Sequence, residues 1–180
     1  MGWFSPVKGS YSSLAQVDKT LPAKADAKSI KCGTVVALVA DDEGKSPDGV
    51  WKVAESTDKL LFVALQDYTD PTAGFAGSAF NPAGGVPAIT AIDLGQDGEY
   101  ETSVFDTTKT YTVGQALYVA GGVITNAGSG TVVGYVTRPA TDRWINNAIA
   151  VPDQKDGATD PRLAIRTGAK QAVLRFKTAV

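Results

Sequence analysis

A chain of 180 residues, 43% of them apolar, is long enough to bury one hydrophobic core and too apolar for wholesale disorder. A net charge of −2 and a pI near 5.1 exclude an electrostatic grip on nucleic-acid phosphates. With no histidine there is neither the usual neutral-pH general base nor a Ser-His-Asp triad, and with one cysteine, Cys32, neither an internal disulfide nor a thiolate zinc cluster.

The first 29 residues show no sustained period. Trp3 and Phe4 stand in a Gly/Ser/Pro/Lys setting, where they either tuck against their own domain or anchor an arm on a neighbouring subunit. Polar and charged residues come too early for the apolar core of a signal peptide, and no run approaches the ~20 apolar residues of a membrane span. A soluble chain without a standard secretion signal, and with no membrane partner, is therefore expected. Ser13 to Asp18 has room for a turn or two of helix before Pro22.

Lys31 to Ala40 and Leu60 to Leu65 are near-continuous apolar runs, the mark of strands buried on both faces. Between them, Pro47-Asp48-Gly49 is a turn: proline presets φ and glycine supplies the left-handed position. Gln66 to Val86 is a long Gly/Ala/Pro-rich loop carrying Tyr68, Phe75 and Phe80. Those rings form an interface or cap the open end of the β structure. Ile89 to Leu94 and Glu99 to Phe105 flank Gly95 to Gly98, which reads as a hairpin loop. In the second run Tyr100, Thr102 and Val104 share one parity, and Glu99, Glu101 and Ser103 the other.

Ala116 to Val119, Val123 to Thr125 and Thr131 to Thr137 then read as a β-meander, its first turn made by Gly121-Gly122. Thr141 to Ala150 is ambiguous, with Trp144, Ile145, Ala148 and Ile149 on one helical face. Leu163 to Arg166 and Ala172 to Thr178 form a closing hairpin. The expected fold is mainly β: a single barrel or sandwich of antiparallel hairpins over 30–180, an extended N-terminal arm over 1–29, and at most short helices.

Chemistry is sparse. Gly128-Ser129-Gly130 precedes strand formers, not a helix N-terminus, so it is a turn and not a nucleotide loop. Asp41, Asp42 and Glu43, and Asp153, Asp156 and Asp160, lack the alternation of a calcium loop and read as solvated acids. Asp93, Asp97, Glu99 and Glu101 around one hairpin read as acids on its solvent face, since a glycosidase pair needs two carboxyls facing each other across a cleft. Cys32 reads as a small core residue. No catalytic residue, metal ligand or cofactor is expected, and the chain is not read as an enzyme.

The order of pieces resembles the small decoration, or cement, proteins of tailed-bacteriophage capsids. The resemblance lies in Gly33 to Val36, Glu101 to Asp106, Gly114 to Val119, Gly121 to Thr125, Val133 to Thr137 and Leu174 to Thr178, within Lys31 to Val180. It implies a β-barrel or sandwich, often trimeric, that binds the outside of an assembled shell and bridges capsomers. The major capsid protein and further copies of the chain would be its partners, and the capsid exterior its place after assembly in the host cytoplasm. Rigid scaffolding plus an adhesive loop or arm is all that multivalent binding to a lattice requires. The candidate anchors are Trp3, Phe4, Tyr68, Phe75 and Phe80. The alternative is a β-sandwich adhesion or carbohydrate-binding module of a tail fibre or spike, with Trp51, Tyr118 or Trp144 as sugar platforms.

Overall fold

The computed structural model describes residues 2, 4–9, 18–24, 27, 29–65, 67–69, 88–144 and 170–179. Its strands are β1 (Phe4–Gly9), β2 (Asp18–Pro22), β3 (Ser29–Ile30), β4 (Val35–Val39), β5 (Val50–Val53), β6 (Leu61–Ala64) and β7 (Tyr68–Thr69). They continue as β8 (Ala88–Asp93), β9 (Gly98–Thr102), β10 (Ala116–Ala120), β11 (Val123–Thr125), β12 (Gly134–Trp144) and β13 (Lys170–Thr178). A six-stranded sheet runs β1-β9-β13-β12-β10-β11, a five-stranded sheet β2-β8-β6-β4-β5, and β3 pairs with β7. All ladders are antiparallel. The protein is a β-sandwich, not a closed barrel, and no helix occurs among the described residues.

The five-stranded sheet is apolar on both faces, as the runs at 31–40 and 60–65 require. Val35, Ala37, Leu61, Val63 and Ile92 turn to the six-stranded sheet, where Tyr100, Leu117, Val119, Ile124, Leu174 and Phe176 meet them. Val36, Trp51, Phe62, Ala64, Ile89 and Ala91 form a second cluster on the opposite face. That face is covered by the sheet's own curl. Its outer strands β2 and β5 come together where Ala23 bridges Trp51, and the Lys24 N–H donates to the Trp51 carbonyl at 2.8 Å. The Trp51 side chain is fully buried, its ring centroid 4.9 Å from that of Phe62, and its indole N–H donates to the Ile89 carbonyl at 2.9 Å. Trp51 therefore ties β5 to β8 across the curl, and it is no exposed sugar platform.

Turn chemistry accounts for the tight connections. Gly121 and Gly122 both have positive φ, 56° and 75°, the backbone a two-residue hairpin between Ala120 and Val123 needs. Gly49, at φ 98°, closes the β4–β5 turn, and a Cβ there would lie 2.5 Å from the Val39 carbonyl oxygen.

Three connections differ from expectation. Gly95 to Gly98 is not a hairpin loop: β8 and β9 belong to different sheets, and the turn carries the chain from one layer to the other. The Thr178 hydroxyl donates to the Gln96 carbonyl at 2.7 Å and accepts the Gly98 N–H at 3.0 Å, pinning that turn to β13. Strands β10 to β12 are not a meander, because β12 pairs with β10 while β11 lies on β10's other side. Residues 141–144 extend β12 instead of starting a helix. The 13–17 part of the first helix expectation, residues 145–150 of the second, and the 163–166 arm of the closing hairpin lie outside the described residues.

Of the 1–29 segment, β1 and β2 are described, and each is an edge strand of one of these sheets.

Adjacent glycines give a clean test. A Cβ on Gly121 meets open space, whereas one on Gly122 comes within 2.7 Å of Thr34 Cγ2 and Val53 Cγ1. Gly121→Ala is expected to cost about 1 kcal/mol of backbone strain, and Gly122→Ala about 2–4 kcal/mol because packing is also disrupted. Urea denaturation of the two variants measures the difference.

Candidate functional site

The outer face of the six-stranded sheet carries the densest charge cluster. Glu101 has the parity of a solvent-facing residue, yet it is only 3% exposed. Its cover is three guanidinium groups, from Arg138 and Arg143 on β12 and Arg175 on β13. Arg175 Nε and Nη2 donate to Glu101 Oε1 at 2.9 and 2.7 Å. Arg138 Nη2 also donates to Oε1, and Arg143 Nη1 to Oε2.

Register explains how they meet. Glu101 stands opposite Arg175, and Arg175 opposite Arg138, across β9, β13 and β12. Simple alternation would turn Arg138 inward, since it shares the parity of buried Val136. A register shift between Val136 and Arg138 inserts one extra residue and brings Arg138 onto the face of Arg175. A second shift, between Arg138 and Thr141, spans Pro139 and sets Arg143 opposite Gln171. The cluster thus carries three cations on one buried anion. Arg138 Nε and Gln171 Oε1 are buried and make no hydrogen bond within the protein.

Tyr135 is 46% exposed on this same face, opposite Lys177. The neighbouring Thr137 hydroxyl donates to Glu99 Oε1 at 2.6 Å, and Lys177 pairs with Asp97 at 3.1 Å. Tyr118 lies half-buried on this face too, because Ala116, two residues before it, stands opposite Tyr135 and the intervening Leu117 points into the core.

Two of the five anchor candidates are described, and both pack on their own chain. The Phe4 ring stacks on Tyr100 with centroids 5.0 Å apart and an interplanar angle of 21°, and it abuts the inter-sheet core. Tyr68, on β7, packs half-buried against the cluster around Trp51. The two are not brought together: one serves each core cluster. Trp3, Phe75 and Phe80 lie outside the described residues, as does the side chain of Trp144. The arginine cluster and Tyr135 escaped the sequence reading. The one visible signal was Pro139 interrupting a β-rich run.

The remaining acids work locally. Asp41 Oδ2 accepts the Ser46 N–H at 2.6 Å and Oδ1 the Glu43 N–H at 2.8 Å, and these bonds, Ser46's foremost, hold its carboxyl below the ordinary aspartate range. Asp106 is lowered chiefly by the Thr108 hydroxyl, which donates to it at 2.6 Å. The Cys32 thiol is pushed up by burial first and by the charge of Asp67 second. The Tyr111 phenol, hydrogen-bonded to the Asp106 carbonyl at 2.9 Å, is pushed up to about 12, first by burial and then by the Asp106 charge. Asp153, Asp156 and Asp160 lie outside the described residues. Among the described residues no three His, Cys, Asp or Glu side chains gather as metal ligands.

An open cavity of about 520 Å³ is lined by Val104, Phe105, Val123 and Ala172 together with Lys31 and Gln171. Compared with family models, curated proteins and solved structures, the chain matches none.

Removing the central anion should be far worse than removing one cation. Glu101→Gln leaves three guanidinium groups crowded on a neutral amide and is expected to cost about 3 kcal/mol. Arg143→Gln, at a side chain 45% exposed, is expected to cost no more than about 1 kcal/mol. Chemical denaturation checks both values.

Tyr111 gives a pH test. Its pKa is higher folded than unfolded, so its stabilising share is complete below the unfolded value of about 10 and is lost as pH rises from there towards 12. Melting curves across that window should fall more steeply for the native chain than for Tyr111→Phe.

Proposed function

We propose that this chain is a structural virion protein of the cement type, which binds the outer surface of an assembled phage capsid and bridges neighbouring capsomers. The observation that carries the reading is the outer face of the six-stranded sheet, which is backed by the inter-sheet core and bears exposed Tyr135 beside a fixed arginine cluster. Tyrosine and arginine are the residue types that anchor protein interfaces. Such a face suits lying against another protein surface.

The partners on this reading are the major capsid protein and further copies of the chain, a homotrimer being the favoured assembly. Symmetric repetition turns a weak contact into a tight one after the first engagement. The place of action is the capsid exterior. Phe4 and Tyr68 support the scaffold through their packing, and the adhesive share passes to Tyr135 and the arginines around it.

The second reading, a carbohydrate-binding or adhesion module, draws on Tyr118 and Tyr135 sharing that face. It loses Trp51, which is fully buried.

Co-sedimentation with phage shells lacking the protein, run beside a glycan array, separates the readings. Saturable sedimentation with shells and a silent array is the expected result. Array binding without sedimentation would transfer the assignment to the second reading. Tyr135→Ala should weaken shell binding by about ten-fold, equivalent to about 1.4 kcal/mol, and leave the melting temperature within a few degrees.

A further inference from the structure

We propose that the cluster of Arg138, Arg143 and Arg175 around Glu101 is a docking point for carboxylate side chains of a partner protein. The inference deepens the cement reading and rests on it for the partner being a protein.

The argument begins with charge. Three guanidinium groups converge on one carboxylate, and no other acid among the described residues pairs with them. Counted over the described residues, two positive charges exceed the acids paired with them at this spot, in a chain whose net charge is −2. Arg175 gives Glu101 Oε1 two hydrogen bonds, and Arg143 supplies the one to Oε2. Arg138 adds a third donor to an oxygen that Arg175 already serves twice, and three like charges held around one carboxylate favour a further anion.

Geometry adds the next point. Each guanidinium has five N–H donors, and Arg138 and Arg143 each spend one on Glu101. Arg143 is 45% exposed and Arg138 34%, so these side chains can be reached from outside the sheet, although Arg138 Nε itself is buried. Glu101 fixes the three groups from beneath, leaving little side-chain freedom to be lost on binding. A planar fork held this way matches a carboxylate by two parallel hydrogen bonds.

The surroundings favour a protein surface over a small free anion. Exposed Tyr135 stands on the same face, so a segment lying across β12 and β13 would meet an aromatic ring beside the arginines. The partner chemistry is therefore a Glu- or Asp-bearing surface patch.

The test titrates the full chain with a hexaglutamate peptide at about 50 mM and about 500 mM salt, following the arginine Nε–H resonances. Inorganic sulfate and hexalysine serve as comparison probes. Expected are shifts of the Arg138 and Arg143 resonances with hexaglutamate, weakened at high salt, and about five-fold or greater loss of affinity in Arg143→Gln. Lys109→Gln, which removes the same charge at an exposed turn, should bind within about two-fold of the native chain. Arg143→Lys keeps the charge but not the fork and should show an intermediate loss, which covers the case of Arg143→Gln failing to fold.

The proposal is overturned if hexaglutamate moves no arginine resonance at low salt. It falls equally if Lys109→Gln loses as much affinity as Arg143→Gln, or if sulfate binds there as tightly as the peptide. Shell co-sedimentation separates the two levels. Undiminished decoration by folded Arg143→Gln would sink the docking point and leave the cement reading standing. Peptide binding without any decoration by the native chain would do the reverse.

Discussion

The fold is governed by a five-stranded sheet that is greasy on both sides. An antiparallel sheet usually keeps one face for water. This one cannot, because Val35 and Val36, or Leu61 to Ala64, place apolar side chains on alternate faces without a break. Two covers are needed. The second sheet supplies one, through Leu117, Val119, Leu174 and Phe176, and the sheet's own curvature, with Trp51 reaching across the concavity, supplies the other. The curl brings β2 to β5, and the six-stranded layer turns the side of Tyr135 and the arginines away from the core.

How much of this was legible follows from what each signal measures. Gly121-Gly122 and Pro47-Asp48-Gly49 report local backbone geometry, and both turns stand where the residues put them. Unbroken apolar runs report burial on two faces, and β4 and β6 have it. Gly95 to Gly98 also looks like a turn and is one, but turn chemistry is silent on whether the next strand pairs with the last or crosses to another layer. Non-local pairing decided that, with Thr178 fixing the outcome from 80 positions away. For the same reason β11 and β12 flank β10, though the spacing of their turns suggested a meander.

The charge cluster was the least legible part. Parity points Glu101 outward, and it does stand on the outer face, yet it is buried there. Its burial depends on arginines 37, 42 and 74 positions away, brought over it by two irregularities in one long strand. Bulges break the very alternation from which faces are read. An arginine that looks core-facing by parity, followed at once by proline, was the available clue. Aromatic residues near a chain start and in a loop are natural anchors by composition, but Phe4 and Tyr68 pack against the two cores, while Tyr135, on the bulged strand β12, is exposed.

Strand β9 lies between β1 and β13, so the middle of the chain is sandwiched by its earliest and latest strands. The six-stranded layer cannot close, and Glu101 cannot find Arg175, until nearly the whole polypeptide is in hand. Loop closure over such separations is entropically slow. During synthesis Glu101 would emerge long before its main cation, which makes the ion cluster a late-setting rivet: a nascent chain would have its curled sheet assembled first and acquire its finished outer surface only with the final strand.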